Sequence, residues 1–134
     1  MIRKIKPDRE KALCLANTAK VTFQRLNELD KIKYPGNSLI DYYDIIHGFM
    51  EALAALEGIK TRGEGAHQEL IDYVCKTYKF NESDRIFLQE LRDYRNRISY
   101  EGFSVTIDYI KLNSTKIEEI IKMLIKLGEE KGIK

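Results

Sequence analysis

Apolar residues recur along this chain at intervals of three and four, the spacing that gathers side chains on one face of a helix. Short polar breaks divide the pattern into five stretches. The first opens at Pro7-Asp8-Arg9-Glu10, whose acidic side chains suit the positive end of a helix. Leu13, Ala16, Lys20, Phe23 and Leu26/Asn27 carry its stripe to about Lys31. Tyr34-Pro35-Gly36-Asn37-Ser38 interrupts it, and Asn37 or Ser38 is placed to cap the second helix. That helix presents Ile40, Tyr43, Ile46/His47, Met50, Leu53 and Ala54 and runs to about Gly58. Gly63-Glu64-Gly65 forms a hinge before a third helix, which starts near Ala66 and shows Leu70, Ile71, Val74 and Tyr78. Asn81-Glu82-Ser83-Asp84 caps a fourth, striped by Phe87, Leu91, Tyr94 and Ile98 and stopped by Glu101-Gly102.

The last stretch carries two patterns at once. Val105, Ile107 and Tyr109 alternate as in a strand, and Asn113 to Thr115 offer a cap for a later helix. Ile107, Ile110, Ser114, Ile117, Ile121 and Leu124 nevertheless form a sustained helical seam, so one long helix from about Thr106 to Glu130 is expected. Five helices with short connections imply an all-α fold, an antiparallel up-and-down bundle of four to five helices spanning 1-134 as a single domain.

Composition adds boundaries rather than identity. A chain of 134 residues can bury about two thirds of its unfolded surface in one core. The net charge of +2 does not by itself mark a nucleic-acid binder. The basic residues are local: Arg3, Lys4, Lys6, Arg9 and Lys11 at the start form either a solvated end or an arm that reaches phosphates, and Arg92, Arg95 and Arg97 form a second group. No apolar run is long enough to cross a membrane, and Met1-Ile2-Arg3-Lys4-Ile5-Lys6-Pro7 lacks a secretory core, so a cytoplasmic location is expected. Cys14 and Cys75 fall within apolar helical patterns without metal-ligand spacing, as buried thiols of a reducing compartment. No metal and no cofactor is implied.

The densest chemistry lies in Leu91-Arg92-Asp93-Tyr94-Arg95-Asn96-Arg97-Ile98-Ser99-Tyr100, with three arginines in six residues beside one asparagine. Arg95 and Ser99 share one line along the helix, Asn96 and Tyr100 the next, so a guanidinium, a carboxamide and a phenol converge near its end. Guanidinium forks onto two phosphate oxygens at once, and a phenol donates to phosphate or stacks on a base. Arg95, Asn96, Tyr100, Arg92 and Arg97 are therefore the candidate ligand-binding residues. A helix-end arginine cluster also serves simply to pair acids or to offset the helix dipole, and that structural role stays open for Arg92 and Arg97 above all.

This segment resembles the motif of the HEPN superfamily, small helical domains of prokaryotic nucleotide-binding and RNA-cleaving systems. Members carry Arg, then usually Asn, Asp or His, then three variable residues and a His at the end of a core helix. Arg95 and Asn96 match the first two positions, and Tyr100 stands where the His falls. Gly58-Ile59-Lys60 followed by His67-Gln68-Glu69-Leu70-Ile71 is similar to the family's Gly…His entry into its third helix, and Glu101-Gly102-Phe103 is similar to the stretch that follows the motif. The resemblance spans roughly residues 8–130. It implies a homodimer through the Arg95 helix, with two motifs facing one cleft, and a nucleotidyltransferase as protein partner in toxin–antitoxin-type systems. In members that cleave RNA it implies a metal-independent reaction: His removes the ribose 2′-hydroxyl proton, that oxygen attacks the adjacent phosphorus, and Arg holds the phosphate.

Tyrosine is a poor replacement for that His. An ordinary phenol, with a pKa of about 10, is ionised in roughly one copy per thousand at pH 7. The resemblance with this change implies a catalytically degenerate module that binds a nucleotide or an RNA phosphate. Two alternatives remain: a ribonuclease using Arg95 with Tyr100 or His67, and a purely structural dimerisation module. His47 falls in the apolar stripe of its helix, as an interior residue does. Asp41 and Asp44 share one face, solvated unless an arginine lies near. Gly63 and Gly65 with Arg62 suggest a phosphate loop only faintly, because no Walker pattern accompanies them.

Overall fold

Within residues 1–133, which a computed structural model describes, five helices form: α1 (Arg9–Asn27), α2 (Pro35–Glu57), α3 (Ala66–Thr77), α4 (Glu82–Tyr100) and α5 (Ile107–Glu130). A mostly α-helical bundle is thus the architecture. Its centre is α2, which packs against each of the other four helices. The reason is compositional. Leu39, Tyr42, Tyr43, Ile45, Ile46, Phe49, Met50, Leu53 and the alanines at 52, 54 and 55 leave α2 apolar nearly all round, and such a helix must be covered on every side.

The stripe of α1 differs from expectation. Ala12, Ala16, Ala19 and Leu26 are its buried residues, while Leu13 and Phe23 only flank the core. The small side chains let the two backbones approach: a Cβ placed on Gly48 of α2 would stand 3.2 Å from the Ala19 methyl. Cys14 is likewise on the outside of this helix, not in the core as expected, whereas Cys75 is buried and its thiol pKa is pushed up by that burial to about 11.

Helix boundaries follow local caps. Asp8, Asn81 and Thr106 each accept a backbone N–H from three residues on, as N-caps of α1, α4 and α5. The first helix stops at Asn27, short of Lys31, because Asp30 turns the chain by accepting from the amides of Ile32 and Lys33. The second begins at Pro35, earlier than the expected Asn37 or Ser38, since proline suits the first helical position. Ser38 is buried inside α2 and donates instead to the Lys31 carbonyl at 2.7 Å.

An all-helical chain was expected, but two three-residue strands also form. β1 (Ile2–Lys4) pairs antiparallel with β2 (Ile59–Thr61), in the register Ile2 to Thr61, Arg3 to Lys60 and Lys4 to Ile59. The ribbon is anchored to the end of α2: Ile5 donates to the Gly58 carbonyl at 2.7 Å and Asp8 to the Ala55 carbonyl at 3.0 Å. Gly58 reverses the chain there in a left-handed conformation, φ 72°, and a Cβ on it would lie 2.5 Å from the Ile5 carbonyl oxygen. Among the described residues no helix is long and apolar enough to cross a membrane.

Candidate functional site

The four-residue link between α3 and α4 folds them back on each other. Arg85, near the start of α4, pairs with Asp72 at 3.1 Å, and Gln89, one turn later, donates to the Gln68 carbonyl at 3.1 Å. As α4 advances, its partners recede along α3, so the helices run antiparallel. The next turn of α4, bearing Arg92, Arg95 and Asn96 at i, i+3 and i+4, therefore stands beside the beginning of α3. There the two helices and the preceding loop enclose an open pocket of about 250 Å³, lined by Gly63, Gly65, Ala66, His67, Gln68, Arg92, Arg95, Asn96 and Tyr100.

Each lining group has definable chemistry. Arg95 is held in place from two sides: its Nε lies 3.4 Å from the Asp44 carboxylate, and its Nη1 donates to the Tyr100 hydroxyl at 3.4 Å. Its guanidinium carbon is 5.9 Å from the centre of the Tyr100 ring. Burial alone would lower the Arg95 pKa, but Tyr100 and Asp44 outweigh it and hold the pKa above its ordinary value. The Nε is closed off from solvent and, although in ion-pair range of Asp44, has no aligned hydrogen-bond acceptor among the described residues. Arg92 donates its Nε to Gln89 at 2.9 Å, and no carboxylate among the described residues neutralises it. Tyr100 lines the pocket and is 77% exposed.

The start of α3 supplies donors of another kind. Gly65 occupies the cap position with φ 76° and has no side chain to satisfy the first turn. Ala66 donates to the Gly63 carbonyl at 3.2 Å and Glu69 to the Gly65 carbonyl at 2.9 Å, which leaves the amides of His67 and Gln68 without a partner among the described residues. Open first-turn amides and the positive end of the helix dipole favour an anion. Gly63, with φ 81°, completes the turn.

His67 is more than a helix-start residue. Its ring stacks on His47 at 4.0 Å between centroids, and its Nδ1 is 3.4 Å from the Tyr43 hydroxyl. Burial, and then the neighbouring His47, lower the His67 pKa, so the neutral imidazole is favoured at pH 7. Burial raises the Tyr43 pKa against the pull of Arg92 and Arg95, so this phenol keeps its proton. His47 in turn sits 3.0 Å from Glu51, an interaction that holds the Glu51 carboxyl below its usual range. His47, expected as a hydrogen-bonded interior residue, is half-buried, has Glu51 as its partner and backs the pocket through His67. A sequence signal existed for its partner: Glu51 lies at i+4 on the same helix.

The structure brings four of the five sequence-derived ligand residues together, Arg92, Arg95, Asn96 and Tyr100, and adds His67, Gly63 and Gly65. It places the fifth elsewhere. Arg97 lies 4.0 Å over the Phe103 ring and 3.9 Å from Asp93, on the far side of α4. Two residues along a helix is a rotation of about 200°, so Arg95 and Arg97 face apart. Asp41 and Asp44, expected on a solvated face, are both engaged, by Arg25 at 3.2 Å and by Arg95. Two larger grooves, about 380 and 520 Å³, run beside α1 and the chain that links it to α2, but their arginine, Arg25, is already bound to Asp41. Among the described residues no cluster of three or more His, Cys, Asp or Glu side chains is arranged to hold a metal ion. No protein-family model, no curated protein and no solved structure matches this chain.

Proposed function

We propose that this chain is a HEPN-like module that binds a nucleotide or an RNA phosphate at the Arg95 pocket, with catalysis degenerate at Tyr100. One observation carries the reading: two guanidinium groups, a carboxamide and two open helix-start amides converge on one pocket of about 250 Å³. That volume lies just below the roughly 300–1,000 Å³ of small-molecule sites, enough for a phosphate and part of its nucleoside with the rest in solvent. Arg92 and Arg95 fork onto phosphate oxygens, the His67 and Gln68 amides donate from the opposite wall, and the exposed Tyr100 ring stacks on a base. A homodimer through α4 and a nucleotidyltransferase partner belong to the same proposal on the strength of the resemblance alone, and a location in the cytoplasm on the two free cysteines.

A second reading is favoured by His67. A neutral imidazole in the wall of a phosphate pocket can take the 2′-hydroxyl proton while that oxygen attacks phosphorus and the 5′-oxygen departs. Incubation with labelled single-stranded RNA in chelator separates the two. A binding module leaves the RNA intact, and Tyr100→His introduces cleavage. Cleavage by the parent protein that disappears in His67→Ala and in Arg95→Ala makes the chain a ribonuclease and removes the degenerate-site proposal.

A further inference from the structure

The ribbon beside the pocket carries a charge pattern that its own stability does not explain. In an antiparallel pair, directly opposed residues put their side chains on the same face, and like charges so placed repel. Arg3 is opposed to Lys60, so two cations share one face of the ribbon, and by two-residue alternation Arg62, whose amide continues the pairing to Met1, joins them. Arg3 and Arg62 are exposed and Lys60 is half-buried. Among the described residues no carboxylate lies within ion-pair distance of any of the three, as is also true of Arg92 in the pocket. On the opposite face Ile59 packs against the core, while Ile2 and Lys4 are exposed.

The ribbon also leads into the pocket. Arg62 precedes Gly63, which lines it, and α3 packs against β2. Lys60 stands three residues before Gly63, a separation of at most about 10 Å at full extension.

We infer that the face of the β1–β2 ribbon that bears Arg3, Lys60 and Arg62 is a second anion-contact surface, which carries the phosphodiester backbone of a single-stranded nucleic acid onward from the Arg95 pocket. The inference rests on the phosphate-binding reading of that pocket. It makes the ligand a chain rather than a free nucleotide. Recognition on the ribbon is by phosphate charge, without base reading.

The test is titration of a labelled 12-nucleotide single strand, as RNA and as DNA of the same sequence, together with a mononucleotide. The parent is compared with Arg3→Gln/Lys60→Gln and, separately, with Arg95→Ala. Two lost phosphate contacts lower the salt slope of log affinity by about 1.4, at roughly 0.7 per contact for single strands, and weaken oligonucleotide binding at low salt about tenfold. Mononucleotide affinity stays at the parent value. An unchanged oligonucleotide affinity and salt slope in the double variant overturns the inference, as does binding of polyglutamate as tight as that of the oligonucleotide. Failure of the pocket reading is seen separately, as mononucleotide binding that is absent or indifferent to Arg95→Ala. RNA and DNA arms that respond alike assign the contact to phosphate; a response in the RNA arm alone still supports the ribbon and assigns it to RNA.

Discussion

Truncation of Arg95 tests the pocket most directly, because its consequences for binding and for folding differ in size. In the free protein the guanidinium meets Asp44 at 3.4 Å and Tyr100 at 3.4 Å, with the Asp44 side chain 47% exposed. A partly exposed pair of this kind contributes about 0.5 kcal/mol to stability. Loss of that amount lowers the melting temperature by about 2 °C in a domain of this size. On a bound phosphate the same group makes charge-assisted hydrogen bonds, each class of which contributes about 1.5–3 kcal/mol. Arg95→Ala is thus expected to weaken nucleotide binding by about 2 kcal/mol, roughly thirtyfold in Kd. Arg95→Lys keeps the charge and loses the fork, so a loss of about fivefold is expected. Calorimetric titration in chelator at low ionic strength, with a melting curve for each variant, reads both quantities. Nucleotide affinity within twofold of the parent in Arg95→Ala, with the melting temperature preserved, refutes the assignment of Arg95 to ligand.

Three further outcomes follow from the same contacts. His67 has a lowered pKa in the folded chain, so the unfolded chain takes up a proton first as pH falls below about 6.5; stability is complete above that pH and declines below it, and His67→Asn flattens that part of a urea-denaturation pH series. Gly58→Ala forces a Cβ to 2.5 Å from the Ile5 carbonyl at φ 72° and is expected to cost about 2 kcal/mol by chemical denaturation, with protection from amide exchange lost at Ile5 first. Tyr42, fully buried, donates to Glu118 at 2.6 Å, so Tyr42→Phe is expected to remove about 1.5 kcal/mol by the same measurement, and a loss below 0.3 kcal/mol would count against that bond.

Helical periodicity determined most of what was read from the chain. Intervals of three and four need only local geometry, so α3 and α5 begin where Ala66 and Thr106 indicated, and α4 ends at Tyr100 as the Glu101-Gly102 stop required. The Arg95, Asn96 and Tyr100 patch was legible for the same reason, since one helix alone sets which of its side chains are neighbours. Arg97 was open to the same test and faces away by rotation along the helix.

Other features have no local cause. Ile2-Arg3-Lys4 and Ile59-Lys60-Thr61 are too short to carry a strand pattern, and each becomes a strand only because the end of α2 brings the other alongside. The alanine face of α1 is set by how closely Gly48 lets α2 approach, a property of the pair and not of either helix. His67 meets Arg92 and Arg95 only through the antiparallel docking of α3 on α4, and stacks on His47 only because α2 lies behind them both. Sequence alone therefore determined which residues share a helix face. Tertiary structure decided which faces meet, because that depends on contacts between residues far apart along the chain.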